Sequence, residues 1–327
     1  YIGVDNQPMC RRDLGYAYEE YEYDDLGNQI RVSYFGVGGE AAIGKSGGYA
    51  SRERKYEDGN LIEEWYYDLK GELIQSKELG YAGCKYGYDE FGQRNSIRYY
   101  GTDTKLVISS ENHCAGYDYS YDERGNKVSN SFIGLDGNKM CSRERGYAQE
   151  YWEYDDWGNK TKLGYRGVDG KSALWKEGGF AYCNMVYENN RLVENRYYDA
   201  QGNLVLRNDT GYAVSKEEYD EYGQRTSYRY YGTDEQPVIS KSTYSAGLDY
   251  SYDEKGYQTD TSYIGVDGNP LIHTELGYAK VHSEYDRYGN EIRVSYYGTE
   301  DSPSVYKEGG YASIEKKYED GHLIQER

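Results

Sequence analysis

The sequence is poor in aliphatic side chains. Leu, Ile, Val and Phe together make up only 50 of the 327 residues, and no hydrophobic run approaches the length of a membrane-spanning helix. Together with a net charge of −19, this composition is typical of disordered chains. The same charge disfavours nucleic-acid binding, because phosphate contacts need a basic surface. We therefore expect neither a membrane span nor a nucleic-acid partner.

Cysteine and histidine are also scarce. The five cysteines are Cys10, Cys84, Cys114, Cys141 and Cys183. They form no CxxC pair, which argues against a disulfide framework or a zinc site and favours a role as small apolar fillers. The four histidines form no cluster, and the chain has no phosphate-binding glycine loop and no nucleophile elbow. We expect no enzymatic activity, no cofactor and no metal site.

Tyrosine takes the place of the missing aliphatics, with 45 residues. A tyrosine can bury its ring and keep its hydroxyl at a wet edge, so an ordered core is still expected. The frame Ala-x5-Tyr-[Asp/Glu] recurs ten times at a spacing of 32 or 33 residues, which indicates a stacked array. Its tyrosines, which define repeats 1 to 10, are Tyr23, Tyr56, Tyr88, Tyr121, Tyr154, Tyr187, Tyr219, Tyr252, Tyr285 and Tyr318.

A second period of 131 residues spans four repeats. Residues 80–103 and 211–234 are identical at 17 of 24 positions. Either a block of four repeats was duplicated or four repeats make one structural turn, and the sequence leaves both alternatives open. Because the chain begins and stops inside the pattern, we expect residues 1–327 to be one continuous array cut from a longer one.

Each repeat contains a hairpin signal. Most repeats read Tyr-Asp-x-x-Gly, which suits a type I turn closed by a left-handed glycine. Repeats 2, 6 and 10 are one residue shorter, as at Asp58-Gly59, which suits a two-residue type I′ turn. The flanking residues alternate with period two and predict antiparallel strands. Residues 270–276, after a second turn, could form a short strand or a single helical turn.

These patterns predict an all-β array of antiparallel hairpins, with a coiled ribbon, a β-solenoid and a shell segment as alternatives for its overall form. We expect the frame alanine to lie where neighbouring repeats approach closely. We expect the frame tyrosine to point inward. The predicted core positions are Ala17, Tyr23, Ala148, Tyr154, Ala279 and Tyr285.

The Tyr-Asp-x-x-Gly-Asn hairpins, such as residues 121–126 and 285–290, resemble the YD repeats of RHS and teneurin-type proteins. They also look like the tyrosine-rich repeats of bacterial surface proteins. The YD resemblance implies a β-shell on a secreted or surface protein and carries over no catalytic residue. The chain departs from the YD pattern in its longer repeat and in its Gly-Tyr-Ala element.

Exposed aromatic rings could stack against sugars. In pairs such as Tyr99-Tyr100 one ring must face outward, although outward tyrosines are also ordinary strand formers. The candidate binding residues are Tyr99, Tyr151, Trp152, Trp157, Tyr230 and Tyr296. The acidic turns could attract calcium, but each loop is too short to supply six ligands.

We therefore expect a non-enzymatic scaffold or spacer of a surface or secreted bacterial protein. Its partner would be a polysaccharide, a cell-wall glycan or another protein. The alternative is a shell segment of an RHS-like protein that encloses another domain. An enzyme whose active residues lie outside this chain is a more distant third.

Overall fold

Antiparallel strands make up the regular structure. The computed structural model describes residues 9–327, in which each repeat contributes one β-hairpin, so the predicted all-β hairpin fold is confirmed. The strands are β1 (Tyr18–Tyr23), β2 (Gln29–Phe35), β3 (Ser51–Glu57), β4 (Asn60–Tyr67), β5 (Gly83–Tyr88), β6 (Arg94–Tyr100), β7 (Gly116–Tyr121), β8 (Lys127–Ile133), β9 (Gln149–Tyr154), β10 (Lys160–Arg166), β11 (Tyr182–Glu188), β12 (Arg191–Tyr198), β13 (Val214–Tyr219), β14 (Arg225–Tyr231), β15 (Gly247–Tyr252), β16 (Gln258–Ile264), β17 (Lys280–Tyr285), β18 (Glu291–Tyr297), β19 (Ser313–Glu319) and β20 (His322–Glu326). The described residues contain no helix of the length and apolarity that a membrane crossing requires.

The chain divides into two compact units. The first contains the described residues up to Trp152 together with Tyr165–Lys171, and the second contains Glu153–Gly164 and Ser172–Arg327. Inside each unit the strands pair in chain order. For example, β3 pairs with β4 over seven residues and with β2 over three. The sequence repeat runs through both units, and a single continuous array stays a prediction.

The long turns are held by their aspartate. In repeat 1 a carboxylate oxygen of Asp24 accepts hydrogen bonds from the backbone amides of Leu26 (3.0 Å) and Asn28 (2.8 Å). The other oxygen accepts from the Asn28 side-chain amide at 2.9 Å. Gly27 closes the turn with φ of +84°, which a residue with a β-carbon rarely adopts. The predicted left-handed glycine is therefore confirmed.

The short turns also match their prediction. Asp58 and Gly59 have φ of +49° and +76°, and Asn189 and Asn190 have +51° and +60°. Positive φ at both central residues is the mark of a type I′ turn. These hairpins reach one residue less far than their neighbours.

The segment between the second turn and the next Gly-Tyr-Ala, such as residues 270–276, combines a bridge and a turn. In repeat 8, Pro270 forms an isolated bridge with Ile264. The chain then turns, and the Gly277 amide donates to the His273 carbonyl at 2.8 Å. That bond closes a single helical turn, so the second of the two predicted alternatives applies here, after the bridge.

The frame alanine joins neighbouring hairpins through its backbone. The Ala82 amide donates to the Tyr100 carbonyl at 2.7 Å, and the Ala82 carbonyl accepts from the Tyr66 amide at 2.9 Å. Three of the predicted core positions, Ala17, Ala148 and Ala279, are buried. A methyl group suits this place, because strands from two repeats meet there.

The core of each unit is a row of packed aromatic rings, here called the inner aromatic row. Its rings come from the Gly-Tyr-Ala element and from the second strand of each hairpin. In the first unit they are Tyr16, Tyr34, Tyr49, Tyr66, Tyr81, Tyr99, Phe132, Tyr147 and Tyr165; in the second unit they are Phe180, Tyr197, Tyr212, Tyr230, Tyr263, Tyr278, Tyr296 and Tyr311. Successive centroids lie 4.4 to 6.1 Å apart, within the favourable range for aromatic pairs. Buried Cys114 and Ser245 interrupt the row in repeats 4 and 8.

The frame tyrosines do not belong to this row, so the predicted core positions Tyr23, Tyr154 and Tyr285 are corrected. Tyr23 is 57% exposed, and Tyr154 and Tyr285 are half-buried. They precede the turn, where too little chain surrounds them to cover a ring. Five frame tyrosines instead donate a hydroxyl hydrogen bond of 2.7 to 3.1 Å to a backbone carbonyl of the preceding repeat. The pairs are Tyr88–Leu61, Tyr121–Arg94, Tyr219–Leu192, Tyr252–Arg225 and Tyr285–Gln258.

The cysteines fall into two groups. Cys84, Cys114 and Cys183 are buried with free thiols, as expected of small fillers. Cys10 and Cys141 are exposed, so the filler prediction is wrong for these two. Both lie just before the turn that precedes Gly-Tyr-Ala.

Candidate functional site

Three of the six candidate binding residues face the core. Tyr99, Tyr230 and Tyr296 are 5%, 3% and 9% exposed and belong to the inner aromatic row. Burial raises the pKa of Tyr230 to about 12. These rings have no free face for a sugar, so the expectation that they contribute to a binding surface is corrected.

The outward members of those pairs are the following residues, Tyr100, Tyr231 and Tyr297. All three are half-buried. A lysine ammonium from the neighbouring strand lies 5.0 to 5.9 Å from each ring centroid; the lysines are Lys85, Lys216 and Lys280. Such cation–π contacts stabilise the sheet face and occupy the ring surface that a ligand would need.

Tyr151 and Trp152 are half-buried on β9. The guanidinium of Arg166 lies 4.1 Å from the Tyr151 ring centroid and covers it. Neither ring offers a free face comparable to that of the remaining candidate, Trp157.

Trp157 is 80% exposed and lies in the turn between β9 and β10. Its backbone amide donates to a carboxylate oxygen of Asp155 at 2.9 Å, so the turn holds the residue while the indole extends into solvent. The Asn159 side-chain amide donates to the other oxygen of Asp155 at 2.9 Å. This bond is the main cause that lowers the pKa of Asp155 below its ordinary value, and the carboxylate is therefore charged at neutral pH.

A cleft of about 440 Å³ opens beside Trp157. Its lining residues are Asp155, Trp157, Asn159, Tyr187, Asn189 and Asn190. The cleft lies where the short hairpin of repeat 6 adjoins the longer hairpin of repeat 5. The Asn159 amide spans it and donates to the Asn190 side-chain oxygen at 3.1 Å. A flat aromatic face next to amide donors and acceptors matches the alternating apolar and hydroxyl surfaces of a sugar ring.

Two further cavities also adjoin short hairpins. One of about 660 Å³ lies between repeats 6 and 7, and one of about 580 Å³ lies between repeats 9 and 10. Their walls are mostly charged, and the charges are paired within them. For example, Lys216 Nζ lies 3.5 Å from Glu194 Oε2 in the larger of the two. A hairpin one residue shorter than its neighbour leaves a step in the sheet edge, which accounts for all three positions.

The described residues hold no group of three or more His, Cys, Asp or Glu side chains placed to bind a metal ion. The acidic turns use their carboxylates on their own backbone amides, as Asp24 does. That use leaves few free oxygens for calcium.

Sequence reasoning missed further exposed rings at the position of Trp157 in other long turns. Phe91 and Tyr222 are each 80% exposed, and Tyr288 is 71% exposed. Leu26 occupies the same position in repeat 1. The signal was available, because the residue before the turn glycine is large and apolar in every odd-numbered repeat and basic in repeats 4 and 8.

Comparison with known proteins gives distant likenesses only. No family model matches the sequence, and no curated protein matches it. Among solved structures, a chain of the TcdB2-TccC3-Cdc42 crystal structure is 12% identical at a TM-score of 0.36, covering 94% of this chain and 17% of that one. A chain of TcdB2-TccC3-TEV is 12% identical at 0.31, covering 94% and 15%. A chain of the Photorhabdus luminescens Tc holotoxin pore is 13% identical at 0.26, covering 94% and 18%.

This chain spans less than a fifth of the length of those solved chains. Likenesses at these TM-scores carry no argument about its function. The strands themselves confirm the predicted tyrosine-rich antiparallel hairpin array.

Proposed function

We propose that this chain is a non-enzymatic repeat scaffold of a surface or secreted protein that binds carbohydrate at the Trp157 cleft. The supporting observation is the indole of Trp157, which is 80% exposed and borders a cleft of about 440 Å³. A tryptophan that is largely exposed buries little of its apolar surface in the fold, so its ring adds little to stability. A ligand that covers it recovers that area.

The polar groups of the cleft support a sugar over a purely apolar ligand. Asn159, Asn189 and Asn190 present amides that can donate and accept. Asp155 adds a carboxylate and Tyr187 adds a hydroxyl, whose pKa is raised by burial. Vicinal hydroxyls both donate and accept, so such a mixed set suits them.

A glycan array tests the proposal. Wild-type chain is expected to bind at least one class of oligosaccharide, and Trp157→Ala is expected to lose that binding. Trp157→Phe should retain part of it, because a smaller flat ring remains. The matched control is Phe91→Ala, which removes an equally exposed ring at the same turn position of repeat 3.

Binding that survives Trp157→Ala, or that Phe91→Ala abolishes equally, would contradict the assignment of this cleft. Absence of binding by the wild-type chain to every glycan would do the same. The alternative role as a shell segment of an RHS-like protein stays a prediction, since no contact among the described residues favours it.

A further inference from the structure

We infer that the exposed rings Trp157, Tyr222 and Tyr288 together form one extended site for a linear, uncharged polysaccharide. This inference rests on the proposed carbohydrate binding at Trp157 and specifies its ligand as a polymer. It also assigns binding roles to Tyr222 and Tyr288, which lie two and four repeats further along the chain.

The topology places the three rings on one edge. In the second unit the hairpins pair in chain order, so the turns inside the hairpins all lie along the same edge of the sheet. This edge is here called the tip row. The turns of repeats 5 to 9 that form it are residues 155–159, 188–191, 220–224, 253–257 and 286–290.

Side chains join each turn of the tip row to the next. Asn159 reaches Asn190 between repeats 5 and 6, and the Arg191 guanidinium fills the space above Gly223 between repeats 6 and 7.

The next two turns are joined in the same way. The Gln224 side-chain amide donates to the Gly256 carbonyl at 3.4 Å between repeats 7 and 8. The Tyr257 and Tyr285 rings stack at 5.1 Å between repeats 8 and 9. The turns therefore form a connected surface, and the rings are held in a defined order along it.

The spacing of the rings is regular. Trp157, Tyr222 and Tyr288 occupy every second turn, four strands apart, which corresponds to about 19 Å along the sheet at ordinary strand spacing. They are 80%, 80% and 71% exposed. The turns between them carry polar side chains, the asparagines of repeat 6 and Lys255 of repeat 8. Equal spacing of rings separated by polar turns suits a ligand that itself repeats.

The charge of the tip row indicates which class of polysaccharide it can bind. The five turns contain eight acidic and three basic residues. An anionic polysaccharide would be repelled along the whole row, because acidic side chains outnumber basic ones there. An uncharged chain avoids this repulsion and still stacks on the rings.

The experiment compares a polymer with its own short oligosaccharide. The probes are dextran, xylan, galactomannan and mixed-linkage glucan, each beside a tetrasaccharide of the same linkage, with polygalacturonate as an anionic polymer. Titration calorimetry with the whole chain is expected to show at least one uncharged polymer binding about a hundredfold more tightly than its tetrasaccharide, because linked contacts raise the effective concentration. Polygalacturonate is expected not to bind.

Substitutions in the tip row test whether the additional affinity for the polymer arises there. Tyr222→Ala and Tyr288→Ala should each weaken polymer binding by about tenfold and leave tetrasaccharide binding at Trp157 within about twofold. The matched control is Val266→Ala, an exposed apolar residue in the second turn of repeat 8, at the opposite edge. It should change neither affinity. All three side chains are largely exposed, so thermal unfolding should confirm an intact fold.

The outcomes separate this inference from the proposed function. Equal affinity for polymer and tetrasaccharide, or polymer binding that is indifferent to Tyr222→Ala and Tyr288→Ala, overturns the extended site while the Trp157 cleft stands. Preferential binding of polygalacturonate overturns the uncharged ligand. Tetrasaccharide binding that ignores Trp157→Ala, or no binding of any probe, overturns both.

Discussion

Repeats 2 and 3 in the first unit and repeats 6 and 7 in the second occupy the same frame, 131 residues apart, yet they bury different polar groups. In the first pair the carboxylate of Glu64 is buried, accepts from Arg54 at 2.6 Å and also binds the Tyr66 hydroxyl. In the second pair the equivalent residue is Asn195, whose amide donates to the Ser215 hydroxyl at 3.3 Å. One frame therefore accepts either a buried carboxylate paired with a half-buried arginine or a neutral hydrogen bond.

The two pairs also exchange a large residue for a small one. The Trp65 ring lies against Gly83, where any β-carbon would collide with it. The ring also packs near Tyr100, with centroids 5.8 Å apart. At the equivalent places the second pair has Arg196 and Val214, and Val214 is fully buried.

Arg196 leaves room for that valine because it extends away to Glu235, with Nη–O distances of 3.0 and 3.1 Å. The comparison shows that the repeat frame sets where residues meet, whereas volume and charge are balanced locally between cross-strand partners.

The largest expected effect comes from removing the buried carboxylate. Glu64→Ala should lower the free energy of unfolding by about 3–5 kcal/mol, because it leaves the Tyr66 hydroxyl buried without an acceptor and half-buried Arg54 without its counter-ion. Asn195→Ala should cost only about 1–2 kcal/mol, because a neutral hydrogen bond is lost. Urea unfolding followed by fluorescence measures both. Equal losses of unfolding free energy at the two positions would show that the Glu64–Arg54 pair contributes no more than the neutral Asn195–Ser215 hydrogen bond.

The large-to-small exchange predicts a compensating pair. Gly83→Val should cost about 1–3 kcal/mol by forcing the Trp65 ring out of its place. Adding Trp65→Arg to Gly83→Val should recover part of that loss, because repeats 6 and 7 already use this combination. Thermal unfolding of both single variants and the double variant gives the coupling energy. Strict additivity of the two substitutions would contradict the compensation.

A smaller effect is expected at the frame tyrosines, which serve both regions alike. Tyr88→Phe and Tyr219→Phe each remove a hydroxyl bond to the preceding repeat, of 2.8 and 3.1 Å, and should each cost about 0.5–1.5 kcal/mol. Tyr23→Phe is the matched control, since its ring is 57% exposed in the first repeat and should cost close to nothing. If all three variants unfold like wild type, the hydroxyl bond does not join the repeats.

The smallest expected effect concerns the rate at which buried cysteines are labelled in the two regions. Burial raises the pKa of Cys84 to about 12, so little thiolate forms below that pH and the folded chain should protect this cysteine at pH 8. Cys141 is exposed and should react at once. Ser215→Cys places a thiol at the equivalent buried position of the second region. Site-resolved mass spectrometry of iodoacetamide labelling should find both buried thiols slow, and Glu64→Ala should accelerate Cys84 alone. Rapid labelling of Cys84 in the wild-type chain would refute its burial.

Much of the fold follows from local chemistry that is visible in the sequence. Asp24, Asn28 and Gly27 each have a specific task in the long turn, and two adjacent left-handed residues are required in the short one, so both turns were predictable. Period-two alternation then placed the strands. The burial of the frame alanine was predictable for a similar reason, because its small size was kept in every repeat.

The candidate site was harder to predict from the sequence. Tyr99 and Trp157 are both aromatic, and nothing local separates a ring that is stacked in a core from one that extends from a turn. The position of a ring within the repeat distinguishes these two cases in part. Trp157 stands inside a turn, where no neighbouring strand can cover it. The cleft beside it depends on the length of the next hairpin as well as on its own.

By itself the sequence determined the repeat, the hairpins, their two turn types and the close approach at the alanine, since each depends on a few neighbouring residues with distinct backbone preferences. Only the tertiary structure decided which tyrosines form the core. Tyrosine occurs on both faces of these strands, and its hydropathy is the same on each. The choice depends on which face packs against the Gly-Tyr-Ala ring of the adjoining repeat, and that is a property of the assembled sheet.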